Sequence, residues 1–353
     1  MSGYVKVPGL DAAKAALDET VSHGYEMLPI GTSQEIIARI FDKSWARNAF
    51  TAIPMSESVV NIPKLTAGIT VQGTTGQSDF EADESRHTTT DVTLSIKTII
   101  ANAPISNKLS AYSVTSMMPA IKEDIVKTFL QTEEDMFING DTTTTGTYAN
   151  NINGAYDATN YPGGIVGARD PRLEFDGLRK MALDGSCSVN ASGANLSKTH
   201  ILEAFACMGI YASDPADLLI VVSHSVKALM MGWDELDKVQ NYGPKATILT
   251  GEIGKLYGAT VVATTRIPET LGADGRARSQ AAGTTGNRTV VLIVNKRSPI
   301  IGNPAKTERK FRIIVDPEPQ KDRIVLVPKE DLAFANRWDE AICHIINVAP
   351  GCL

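Results

Sequence analysis

"SMMPAIKEDIVKTFLQTEEDMFINGD" occupies residues 116–141, between a segment that alternates like a strand and a loop crowded with threonine and asparagine. Val114, Met118, Ile121, Ile125, Phe129 and Met136 recur at spacings of three, four or seven, which lays one apolar stripe along a helix. Pro119 is tolerated only in a first turn, so the helix starts near it and runs roughly 20 residues, about 30 Å. Glu123 and Lys127, four apart, form a well-oriented surface pair. Asn139 and Gly140 predict a left-handed stop. Nothing on this rod forms a catalytic constellation.

Upstream, the period changes to two. "VVNIP" runs in and "DVTLSIKTIIA" runs out, with Val92, Leu94 and Ile96 alternating against Thr93, Ser95 and Lys97, the pattern of two strands of a ribbon. Between them lie residues 66–90, rich in Gly, Thr and acid and longer than a compact hairpin needs, so a long projecting β-arm is expected. Residues 1–30 have weak periodicity and read as an arm ordered by outside contacts. "GTSQEIIARIFDKSWARNAF" predicts a short helix with Thr32 and Glu35 spaced as a capping box.

Downstream, "DTTTTGTYANNINGAYDATNYPGG" is a polar connection. From "LEFDGLRKMAL" onward, helical and extended patterns alternate through "LSKTHILEAFACMG", "ADLLIVVSH", "SVKALMMGW", "GATVVATT" and "RTVVLIVN", the signature of an α/β domain. Residues 269–288 are Gly- and Ala-rich with three arginines and no apolar periodicity, as in a mobile surface loop. "ERKFRIIVD" and "DRIVLVP" then predict long strands.

The 353 residues, 43% hydrophobic and 21% charged, suffice for a sizeable core in two or more domains. A formal net charge of −6 supplies no overall basic field for nucleic acid. The N-terminus lacks a basic-then-apolar leader pattern, and "LLIVV" and "TVVLIV" are too short to span a bilayer, so no membrane partner and synthesis in a cytoplasm are expected. Cys187, Cys207, Cys343 and Cys352 lack CxxC spacing and read as reduced, mostly buried thiols and not as a disulfide frame or a zinc site.

The hydrolase, metalloprotease, calcium-loop and dinucleotide motifs are missing. "GEIGKLYG" (251–258) is too short for a phosphate loop, with Leu256 at the magnesium-ligand position. The five histidines show no paired spacing, and Ser223 beside His224 reads as a helix N-cap. The acidic cluster Asp79, Glu81, Asp83 and Glu84 lacks calcium-loop spacing and reads as a solvated or partner-facing tip. No catalytic, cofactor or metal residue is therefore expected. A chain rich in extended pieces is built to touch copies of itself.

The order of parts resembles the major capsid proteins of tailed bacteriophages with the Hong Kong 97-like fold. The resemblance rests on "FINGD" closing the helix, "YPGGI" (161–165), "LLIVVSHSVKALMMG", "LYGATVVATTRIP" and "DRIVLVPKEDLAFANRWDEAI" in that order. It implies an α+β chain with an N-terminal arm (1–52), an extended β-arm or E-loop (53–103), a peripheral domain with a spine helix (104–172), an α/β axial domain (173–305), and peripheral strands with a C-terminal segment returning to the axial domain (306–353). It further implies pentamers and hexamers of many copies, forming an icosahedral shell assembled in the host cytoplasm, a portal, and double-stranded DNA held by weak nonspecific contact.

The arm begins almost at Met1, so a separate scaffold, or none, is expected. Asp322 stands where cross-linking members carry asparagine, so non-covalent contacts or a cement protein are expected to hold the shell. At the assembly interface, the acidic tip Asp79, Glu81, Asp83 and Glu84 is expected to rest on a neighbour's basic strip, Arg309, Lys310, Arg312 and Arg323, and the loop 269–288 to sit at the capsomer centre. The alternatives are an encapsulin-type nanocompartment shell around a cargo enzyme, or an α/β enzyme with an unrecognised site within 173–305.

Overall fold

The computed structural model describes residues 45–73, 84–108, 117–143, 151–153, 170–233, 254–277, 287–305 and 311–351. The arm before residue 45, the Thr32–Glu35 capping box and "YPGGI" lie outside the described residues.

Among the described residues, two six-stranded sheets and a two-stranded ribbon carry the fold. In chain order the strands are β1 (Thr51–Met55), β2 (Val59–Ala67), β3 (Thr88–Ser95), β4 (Lys97–Ile100), β5 (Ala103–Ser106), β6 (Ser188–Asn190), β7 (Leu218–Val222), β8 (Lys255–Leu256), β9 (Ala259–Ala263), β10 (Thr289–Asn295), β11 (Pro299–Pro304), β12 (Phe311–Glu318), β13 (Arg323–Asn336) and β14 (Ile342–Val348). Among the described residues, the α-helices longer than one turn are α1 (Met117–Asn139), α2 (Leu178–Asp184), α3 (Lys198–Met208) and α4 (His224–Met231).

The first sheet is organised around β13, which is long enough to serve several partners. It pairs antiparallel with β12 along Arg323–Glu330, with β4 and β5 on its opposite edge, and with β11 along Ala333–Asn336. β1 adds parallel to β11. The outgoing run "DVTLSIKTIIA" therefore divides: Thr88–Ser95 belongs to the ribbon, whereas Lys97–Ile100 belongs to the first sheet. An alternating pattern cannot show where a strand changes partners, because both parts present one face to a core.

The second sheet runs β6-β14-β10-β7-β9-β8. Of its central strands, β7 (Leu218–Val222) is entirely buried and β10 is buried from Thr289 to Val294. Leu218, Ile220 and Val222 face a core formed with Ile201, Ala204 and Met208 of α3 and Val226 and Met230 of α4. Leu219 and Val221 face the opposite core, with Leu178 of α2 and Met136, Phe137 and Ile138 of α1. Coverage on both faces explains the unbroken apolar run. The last strand of the region 173–305, β11 (299–304), joins the first sheet, while β14 (342–348), from the segment 306–353, lies in the second.

The long helix appears where the apolar stripe places it, with Pro119 in its first turn. Ile125, Phe129, Met136, Phe137 and Ile138 are buried, and Phe137 meets Phe334 of β13 at 4.8 Å between ring centres and Phe175 at 5.8 Å. The Glu123–Lys127 ion pair forms as expected. The stop differs from the expectation, since neither Asn139 nor Gly140 has positive φ. Glycine is needed at 140 for close approach instead: a Cβ there would lie 2.6 Å from Met136 O and 2.9 Å from Gly177 N. Gly177 faces it reciprocally, its N–H donating to Gly140 O at 2.9 Å. Two backbones meet here at a distance no side chain permits.

Candidate assembly surfaces

The region preceding β1 is tied to the body by charge. Ala46–Ala49 forms a single helical turn, and Trp45 N donates to Glu134 Oε1 of α1 at 2.6 Å. Arg47 fans out from that turn: Nε donates to Glu133 at 2.8 Å, Nη2 to Glu330 of β13 at 2.6 Å and Nη1 to Asn303 Oδ1 of β11 at 3.1 Å. One guanidinium thus joins the helix to both strands. It serves two buried carboxylates, so the node carries an excess acid. Burial, then the neighbouring Glu133 charge, pushes Glu330 up to about 8 against the pull of Arg47. Glu133 is also raised, chiefly by burial and against Arg47. Burial works to lower Arg47, but Glu133 and Glu330 together raise it.

A second polar hub closes the far end of α1, where "FINGD" lies. Asn153 Nδ2 donates to Asn139 O at 2.7 Å, capping the helix terminus from a distant loop. Asn139 Nδ2 donates to Asp135 Oδ1 and to Arg266 O, while its Oδ1 accepts from Arg179 Nη1 at 2.6 Å. Asp141 Oδ2 accepts from Ile152 N at 2.7 Å. Arg179 is fully enclosed and also donates to Gly275 O at 2.9 Å. Burial lowers it to about 10, so it stays charged at neutral pH and binds helix end, α2 and the 275 turn together. The beginning of the Gly- and Arg-containing loop is thereby tied to α1.

The ribbon presents the most open surface. β2 and β3 pair from Val59↔Ser95 to Ala67↔Thr88. At its base Val60, Ile62, Val92 and Leu94 pack on Met55, Ile300 and Ala333 of the first sheet. Farther out, among the described residues, Leu65 of β2 is 59% exposed, and just beyond the strand Ile69 is 63% and Val71 93% exposed.

Of the expected interface residues, Asp79, Glu81, Asp83, Arg309 and Lys310 lie outside the described residues. Glu84 is exposed on the ribbon, 3.8 Å from Arg86. Arg323 lies at the start of β13 and donates through Nε to Glu318 Oε2 at 2.7 Å, and Arg312 lies on the adjacent β12. The two arginines therefore share one strand pair, with Arg323 already partnered inside its own chain. Asp322 occupies a left-handed turn (φ 48°) between these strands and accepts from Asn107 Nδ2 at 2.9 Å. An Asp or Asn side chain suits that backbone.

Ser223 caps α4 as expected, accepting from Val226 N. Cys187, Cys207 and Cys343 are free thiols, two of them buried as expected and Cys207 exposed, and they bring their sulfurs within 4.8 Å of one another. They come from the approach to β6, the last turn of α3 and β14. Their separation in sequence left no spacing to read. Cys352 lies outside the described residues.

Residues 26–200, about half of the chain, match the model of the phage capsid family. The chain belongs to the phage capsid family. A curated relative, the major capsid protein of Klebsiella oxytoca phage phiKO2, is 26% identical over 215 residues, covering 55% of this chain and 49% of the relative. The match thus spans about half the length of that protein. A chain from Microbacterium phage Oxtober96 superposes with a TM-score of 0.60 at 15% identity, covering 93% of this chain and 99% of that one. A chain described as the capsid of a native GTA particle gives 0.62 at 11% identity, covering 94% and 99%, and one from Mycobacterium phage Che8 gives 0.62 at 11%, covering 90% and 96%. These low identities establish a shared fold of mixed helix and strand. The resemblance read from the sequence is borne out at that level.

Proposed function

We propose that this capsid-family chain is a major capsid protein which assembles through pentamers and hexamers into the icosahedral head of a tailed phage. Its parts follow the Hong Kong 97-like plan: arm, E-loop, peripheral domain around α1 and first sheet, and axial domain around the second sheet. The observation that carries this reading is the ribbon. An isolated two-stranded pair is marginally stable in water, yet this one leaves Leu65, Ile69 and Val71 open to solvent. A surface of that kind is completed by another copy. In a shell each subunit makes many such contacts, and weak ones combine by multivalency. The role is structural, with double-stranded DNA inside the head, a portal for its entry, and separate scaffold or cement proteins as further partners. The capsid-family membership favours a virion over a nanocompartment or an enzyme.

Electron microscopy of the purified, concentrated protein tests the proposal: shells or five- and six-membered rings are expected, and a compact monomer at every concentration and salt overturns it. Within it, the acidic tip (Asp79, Glu81, Asp83, Glu84) pairs with Arg309, Lys310, Arg312 and Arg323 of a neighbour. Exposed pairs contribute little singly, so these tune assembly and its salt dependence. Unchanged assembly across a salt series after reversal of the four acids removes this part.

A further inference from the structure

We propose that Cys187, Cys207 and Cys343 form a three-thiolate site for a thiophilic metal ion, with zinc(II) as the ion for which it is best suited. Three elements distant in sequence deliver these sulfurs to one point, all within 4.8 Å of one another. Bonds of about 2.3 Å from each sulfur to a zinc ion place tetrahedral ligands somewhat closer together than that, so a small inward movement of side chains completes the first coordination sphere. Cys343 and Cys187 are buried among the apolar residues beneath α3, whereas Cys207 stands at the surface. The fourth position therefore opens toward solvent beside Cys207, and no fourth His, Cys, Asp or Glu joins the group among the described residues. Water fills that position.

The reaction balances as three thiols and one hydrated zinc ion giving a zinc tris-thiolate with one bound water and three released protons. No electron is transferred. Thiolate ligands must shed their protons, so metal binding competes with protonation and affinity rises with pH. Structurally, the ion would staple the end of α3 to β14 and to the start of β6, on the face of the second sheet opposite α1.

The test uses the full-length chain, reduced and treated with chelator, titrated with cobalt(II) and then zinc(II). One equivalent of cobalt with a sulfur-to-metal charge-transfer band, discharged by zinc, is expected, with affinity that rises with pH. Cys207→Ser removes a ligand from the surface without disturbing the buried pair. Outer-shell changes already weaken metal sites 10- to 100-fold, so loss of a direct ligand should weaken this one by at least about 100-fold. Absence of the band while all four thiols of the chain, Cys352 included, are titratable by a thiol reagent after denaturation overturns the proposal, as does an unchanged band in C207S. So does a Cys187–Cys207 or Cys207–Cys343 disulfide in protein isolated without reductant.

Discussion

The strand β10 and the strand β2 are near-equals in length and opposites in environment. From Thr289 to Val294 every residue of β10 is buried, with Leu292 and Val294 in one core and Val291 and Ile293 in the other. In β2 no residue is fully buried, and its apolar positions become more exposed toward the tip. The second sheet satisfies its apolar surface within one chain. The ribbon leaves its outer apolar residues exposed among the described residues. Under the proposed function, this would divide the labour between a body that folds by itself and a limb completed by assembly.

The contrast breaks first if the body is not internally sustained. Leu292→Ala empties a fully buried position, and its expected cost is about 2–5 kcal/mol. Ile62→Ala, half-buried at the ribbon base, should cost under about 1 kcal/mol because the site can collapse toward solvent. Urea unfolding of the unassembled chain measures both. Equal losses would show that ribbon and body form one cooperative unit.

The charged node between them has the next largest effect. Arg47→Ala leaves Glu133 and Glu330 facing each other in a buried setting. A stranded buried charge is expensive, but Arg47 is itself 32% exposed in its side chain and the carboxyls can take up protons, so about 1–2 kcal/mol is expected. Adding Glu330→Gln should restore part of the loss. No recovery would mean that Arg47 acts through packing alone.

Opposite pH responses separate the same regions more finely. Glu330 has its pKa raised to about 8. Its native state holds a proton that the unfolded chain releases near ordinary carboxylate values, so its contribution is full below that range and is lost as pH rises toward 8. His344 of β14 has its pKa lowered to about 4, chiefly by burial. Its contribution is full above the ordinary imidazole value and is lost as pH falls toward 4. Each slope is at most about 1.4 kcal/mol per pH unit. Thermal melts between pH 4 and 9 should show Glu330→Gln removing a decline that runs from about pH 4.5 to 8, and His344→Asn removing a rise that runs from about pH 4 to 6.5.

How much of this was written in the sequence follows from the range of each interaction. The long helix was legible because its stripe is local, and Ser223 capped α4 because capping is a matter of three residues. Thr88–Ser95 and Lys97–Ile100 read as one strand, since a change of partner leaves the alternation intact. Gly140 was recognised as a terminator for the wrong reason: its neighbour Gly177 arrives by tertiary folding. Arg47 reaches Glu133 and Glu330 across 86 and 283 residues, and the three thiols converge from three separate elements. Such sites are invisible to spacing, and the arrangement of the strands that assembles them is the part no local pattern records.

The smallest expected effect on folding should be the largest on assembly. Leu65→Ser and Val71→Ser alter residues 59% and 93% exposed, so the unassembled chain should lose no more than about 0.5 kcal/mol. If a neighbouring copy covers these side chains, each contact gives up apolar burial worth on the order of 1 kcal/mol, and the loss recurs at every copy in the shell. Sedimentation velocity and electron microscopy of the double variant should then show folded protein with few or no shells. Shells at wild-type yield would mean that the exposed ribbon residues meet only water. Unfolding of the free chain would mean that the limb was part of the body after all.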